Sequence, residues 1–128
     1  MSMFAKSVLL LSMLTLAWAG KVDLTVTNSL EGKENLKIHC KSRDDDLGMR
    51  VLHFNESAHW RFGTDIFWRT MFSCSFQWGK SPFFHFNVYD QIRDYDVCTD
   101  CQWFIKKHGP CRDEPTNNAF TPKCYKWN

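Results

Sequence analysis

From Val22 onward the chain alternates apolar and polar residues in short runs. Val22, Leu24 and Val26 interleave with Asp23, Thr25 and Thr27, and Leu36, Ile38 and Cys40 with Lys37, His39 and Lys41. Ala58, Trp60 and Phe62 follow, then Phe72, Cys74, Phe76 and Trp78, then Phe84, Phe86 and Val88, then Cys101, Trp103 and Ile105. A period of two is the mark of a strand with one buried and one wet face. Met49–Phe54 reads as a further strand with mixed faces, and Lys123–Trp127 as a short last one. Turn-forming residues separate the runs at Glu31-Gly32, Leu47-Gly48, Asn55-Glu56-Ser57, Gly79–Pro82 and His108-Gly109-Pro110. No segment sustains a helical period. Arg112–Pro122, rich in Pro, Asn and Thr, reads as a disulfide-tethered loop. The expected fold is all-β, a small antiparallel β-sandwich of about seven to eight strands. Alternation turns Phe72, Phe76, Trp78, Phe86 and Trp103 inward, while Phe83, Tyr89, Phe104 and Tyr125 break the pattern and are candidates for exposed anchors.

The N-terminus changes the picture of the compartment. Lys6 precedes the apolar run Val8–Leu16, and Ala17-Trp18-Ala19 has the small-x-small form of a cleavage site. The run is shorter than the ~20 residues a spanning helix needs. Residues 1–19 therefore read as a secretory signal peptide cleaved after Ala19, leaving residues 20–128 as one extracellular domain without membrane insertion. All six cysteines, Cys40, Cys74, Cys98, Cys101, Cys111 and Cys124, lie beyond that segment. An even number in a small exported chain reads as three disulfides. Losing Lys6 leaves 15 basic and 14 acidic residues. That balance points away from nucleic acid as a partner.

Candidate chemistry is sparse. His39–Gly48 reads HCKSRDDDLG, with Asp44, Asp45 and Asp46 adjacent. A calcium loop spaces its carboxylates at alternate positions, so a turn between two strands is the expected role and no metal or other cofactor is assigned. Five histidines (His39, His53, His59, His85 and His108) could in principle supply an acid–base pair, but no nucleophile motif or basic cleft accompanies them, and no catalytic residue is assigned. Cys98-Thr99-Asp100-Cys101 has redox spacing, yet leads into a strand rather than a helix, which favours structural bridges. Asn55-Glu56-Ser57 is a glycosylation sequon in a turn, so Asn55 is a candidate glycan site.

The blocks VTNSL at 26–30, HCKSRDDDLG at 39–48, FSCSFQW at 72–78 and CQWFI at 101–105 occur in the order found in the plant self-incompatibility S-protein family, which the chain resembles over nearly all of its mature length. Cys98, Cys124 and the turn Lys107–Pro110 depart from the simplest pattern of that family. The resemblance implies a secreted β-sandwich that acts as a ligand for a membrane protein receptor on another cell, as in the rejection of self pollen. A secreted defence protein acting on microbes is the alternative, and a ribonuclease the third reading. Cys40 and Cys74 face inward and belong to the shared blocks, so they are expected to pair with each other. The remaining four would then form two bridges in the C-terminal third. A monomer is expected, with partner recognition on two inter-strand loops. One is Ser42–Gly48, with Asp44, Asp45 and Asp46, assigned to fold support or shared activity. The other is Asp90–Asp96, where Arg93 and Tyr95 are residue types enriched at hot spots.

Overall fold

In the computed structural model, residues 20–128 are described, apart from Ile66 and Asn118. The segment read as a signal peptide lies outside the described residues.

The alternating run at Val22 forms β1 (Lys21–Asn28), and its apolar positions Val22, Leu24 and Val26 are buried. The other runs become β2 (Leu36–Ser42), β3 (Asp46–Leu52), β4 (Ser57–Gly63), β5 (Met71–Gln77), β6 (Phe84–Asp90) and β7 (Asp100–Lys106). A one-turn helix, α1 (Gln91–Asp94), links β6 to β7. Two further strands, β8 (Gly109–Thr116) and β9 (Ala119–Cys124), close the chain. One sheet has the order β4-β1-β7-β8-β9 and the other β3-β2-β5-β6. Their inner faces meet over one core, in which Leu24, Val26, Trp103 and Ile105 of the first sheet join Leu36, Ile38, Phe76 and Val88 of the second.

Three features correct the sequence-based expectation. The sandwich is not wholly antiparallel: β1 runs parallel to β7, from Asp23 opposite Asp100 to Asn28 opposite Ile105. Arg112–Pro122 is not a loop but most of a β8–β9 hairpin, in which Arg112 faces Lys123 and Pro115 faces Phe120. Every residue of β9 is exposed, so no alternation betrays it, and its Pro122 is tolerated because β9 is an edge strand. Tyr89 is fully buried rather than an exposed anchor. A register shift between Phe72 and Ser73 leaves Val88 unpaired in the ladder, and this bulge turns both Val88 and Tyr89 inward.

The bridges are Cys40–Cys74, Cys98–Cys101 and Cys111–Cys124. The first joins directly opposed residues of β2 and β5 inside the core, and the third joins directly opposed residues of β8 and β9, with Cys111 buried and Cys124 exposed. Asn28 explains the polar residue in the VTNSL block. It is fully buried, its amide nitrogen donates to the carbonyls of Glu34 (2.8 Å) and Leu52 (2.9 Å), and its oxygen accepts from the Leu30 amide. One side chain thus satisfies three backbone groups where β1 leaves the sheet.

Candidate functional site

The aspartate cluster is a turn. The Ser42 amide donates to the Asp45 carbonyl (2.8 Å), and the Asp45 amide donates to the Ser42 hydroxyl (3.0 Å). Asp46 accepts from the Gly48 amide (2.9 Å) and lies 2.6 Å from His39 Nε2. The Gly48 hydrogen bond, aided by His39, holds the Asp46 carboxyl below its ordinary range. Gly48 has φ +82°, a conformation that favours glycine. The exposed side chains of Asp44 and Asp45 do not join Asp46 in a ligand cluster: among the described residues, the one group of potential ligands is His108, Cys111 and Cys124, and its two sulfurs form a disulfide. His39 and His85 flank Ser75 in one row across the outer face of the second sheet, while His53 bonds Asn35 and His59 bonds Asp23.

The second predicted loop, Asp90–Asp96, is half helix and half anchor. The Asp90 carboxylate caps α1 by accepting from the Ile92 amide (3.1 Å). Asp94 is fully buried and receives four donors: Arg112 Nη2 at 2.8 Å, Arg93 Nε at 2.6 Å, Arg93 Nη2 at 2.7 Å and the Asp90 amide at 2.9 Å. Arg93 is therefore not a free contact residue. Its side chain is one quarter exposed (25%), also donates to the Asn87 carbonyl, and lies over the rings of Phe86, Trp103 and Tyr125. Replacing it would therefore remove contacts within the fold as well as a partly exposed side chain. Arg112 stacks on Trp103, 4.4 Å from the ring centroid, and also pairs with Glu114. Burial works to raise the Glu114 pKa, but the Tyr125 hydroxyl and Arg112 outweigh it and hold that carboxyl below its ordinary value.

Tyr95 does reach the surface, and it does so beside a loop that sequence reasoning passed over. The Gln91 side chain donates to the Asp65 carbonyl (2.7 Å) and accepts from the amides of Asp65 and Thr70. It fastens α1 to the β4–β5 connection. Asp65 accepts from the Phe67 amide and pairs with Arg69; the Phe67 bond, with Arg69 and Arg43 in support, keeps its carboxyl below the usual range. On this frame the Trp68 ring meets Tyr95 edge-on, with centroids 4.5 Å apart. Ile92 is 79% exposed, Phe67 67%, Trp68 47% and Tyr95 38%. Trp68 holds φ +60°, which is costly for a bulky residue and persists only where its surroundings enforce it. Large apolar side chains thus gather on two loops at one end of the sandwich, with Met71 at the start of β5 beside them. Phe67-Trp68, two aromatics outside any alternating run, were the available signal.

Comparison with known proteins agrees with this architecture. The family described as plant self-incompatibility protein S1 matches residues 23–127. The S-protein homolog 5 of Arabidopsis thaliana is 44% identical over 110 residues, covering 86% of this chain and 80% of its own length. S-protein homolog 3 of the same plant is 39% identical over 116 residues, covering 87% and 75%. A solved structure of a self-incompatibility protein homologue, described as one of a widespread family of small, highly stable, secreted plant proteins, superposes with a TM-score of 0.62 at 19% identity, covering 84% of this chain and 95% of its own. The chain belongs to the plant self-incompatibility S1 family, as one of its S-protein homologues.

Proposed function

We propose that this protein is secreted and acts, as a monomer, as an extracellular ligand for a membrane protein receptor on a cell surface. The contact face in this reading is the end of the sandwich carrying Phe67, Trp68, Ile92 and Tyr95. One observation carries it: these side chains are large, apolar and exposed, yet sit on loops fastened by the buried side chains of Gln91, which donates to the Asp65 carbonyl, and Asp94, which accepts from the Asp90 amide. A held aromatic surface loses little conformational freedom on binding, which is what an interface anchor requires. Family membership supports the ligand role, and the secreted character of the structural relative supports export. Participation in self pollen rejection would follow from accumulation in the stigma.

The test uses Phe67→Ala with Ile92→Ala, since both side chains are mostly exposed. Labelled wild-type protein should bind saturably to living cells of the tissue in which it accumulates, and the double variant should bind at least ~10-fold more weakly, about 1.4 kcal/mol, with its melting temperature unchanged. Undiminished binding by a folded double variant would refute the face. Growth inhibition of microbes, with no saturable binding to plant cells, would favour the defence reading instead.

A further inference from the structure

We propose that the Cys98–Cys101 disulfide is an exchangeable bridge, opened reversibly by low-molecular-weight thiols while the rest of the fold stays intact. The inference is independent of receptor binding.

The two sulfurs differ in access. Cys101 is fully buried on the inner face of β7, whereas Cys98 is only partly buried, in the segment between α1 and β7. Cys98 also lines two clefts, one of about 230 Å³ with Thr64, Tyr95 and Thr99, and one of about 450 Å³ with Gln102, Phe104, Arg112 and Phe120. The fully buried Cys101 borders the larger cleft as well but not the smaller one, so the smaller cleft and the greater exposure of Cys98 direct an incoming thiol to the Cys98 sulfur. Arg112 Nη1 donates toward the Cys98 sulfur at 3.6 Å. Because Asp94 and Glu114 balance the charge of Arg112, and Asp100 and Asp113 also line the larger cleft, its contribution to a thiolate there is a fixed N–H donor rather than net positive charge. The Cys98 carbonyl lies 3.4 Å from the Cys101 sulfur and is placed to accept from that thiol once it forms.

The exchange balances as follows. A thiolate attacks the Cys98 sulfur and forms a mixed disulfide. The Cys98–Cys101 bond breaks, and its electron pair goes to the Cys101 sulfur, which takes a proton from solvent. A second thiolate attacks the outer sulfur of the mixed disulfide, releasing the oxidised thiol and leaving Cys98 as a thiolate beside Arg112. Two thiols are oxidised to one disulfide, and the bridge is reduced by two electrons.

The other bridges are less suited. Cys40 and Cys74 are both buried in the core. Cys124 is exposed, but its bridge to Cys111 spans 13 residues and staples β8 to β9, whereas Cys98 and Cys101 are separated by 3. A bridge across so short a loop restricts the unfolded chain least, so opening it costs the least stability. The Asp94 network and the Asp23 amide bond to the Thr99 carbonyl (2.9 Å) remain to hold the segment.

The experiment equilibrates the folded, secreted protein with glutathione over a range of reduced-to-oxidised ratios, traps free thiols with N-ethylmaleimide, and maps the peptides. Cys98 and Cys101 should open at a value of [reduced]²/[oxidised] at least ~10-fold lower than either other pair. Glutathione should be found on Cys98 and not on Cys101. The variant Cys98→Ser with Cys101→Ser should fold and keep a circular dichroism spectrum like that of the wild type. Opening of Cys111–Cys124 first or together, an adduct on Cys101, or resistance of Cys98–Cys101 until the whole chain unfolds would each overturn the proposal.

Discussion

Asp94→Ala should be among the most damaging single substitutions in this protein. The carboxylate is fully buried and satisfies four donors, two of them on Arg93 and one on Arg112, whose side chain is only 2% exposed. Truncation leaves the Arg112 guanidinium buried with Glu114 as its remaining ion-pair partner at 2.9 Å. Breaking a buried pair by removing one member costs about 3–5 kcal/mol, because the other charge stays desolvated. Against the ~5–15 kcal/mol total stability of a domain this size, that is a large share. Each kcal/mol corresponds to a drop of roughly 4–8 °C in melting temperature for a chain near 100 residues. The assay is equilibrium unfolding in guanidinium chloride with the disulfides intact, followed by tryptophan fluorescence, since Trp103 packs against Arg112. The midpoint should fall with the slope m unchanged. A second variant separates an unpaired charge from lost packing. Asp94→Leu combined with Arg112→Met removes both charges and should recover at least half of the loss. A cost below ~1 kcal/mol for Asp94→Ala, the range of an exposed ion pair, would refute the reasoning, as would a double variant no better than the single.

Four other outcomes are expected. Glu114 is held below its ordinary pKa in the folded state, so its stabilisation is complete above the unfolded value and fades as pH falls through the folded one; melting temperature should drop below about pH 4.5, and Glu114→Gln should flatten that acid limb. Asn28→Ala strands the buried Leu30 amide and loses two further bonds, which should cost roughly 2–4 kcal/mol in chemical unfolding. The buried Tyr89 hydroxyl has no hydrogen-bond partner among the described residues, and burial, with Asp94 nearby, pushes its pKa up to about 12; Tyr89→Phe removes the unpaired group and should leave stability equal or raise it by about 1 kcal/mol in the same assay. Asn55 is exposed in a turn at φ +70°, and protein from the native host should lose mass on glycosidase treatment, whereas Asn55→Gln protein should not.

The strands were legible where one face of a sheet is buried and the other wet. FSCSFQW became β5 with Phe72, Cys74 and Phe76 buried, because alternation is a direct record of that asymmetry. The family was legible too, since its blocks hold the residues that shape local structure: Asn28 tying three backbone groups, and Asp46 and Gly48 making the β2–β3 turn. What stayed hidden had no periodic record. β9 is exposed on both faces, and the β6 bulge shifts Tyr89 inward against its apparent phase. Arg93 looked like a contact residue because residue type does not say which way a charge points; only the fold brings Asp94 and the rings of Phe86 and Trp103 around it. The Phe67–Trp68 loop likewise gained meaning only when Gln91 fastened it beside Tyr95, 27 positions from Trp68 in the chain. Local pattern determined the strands, the turns and the family. The candidate contact face and the Asp94–Arg112 lock were decided by tertiary structure, because each depends on side chains that meet only after the two sheets close on one another.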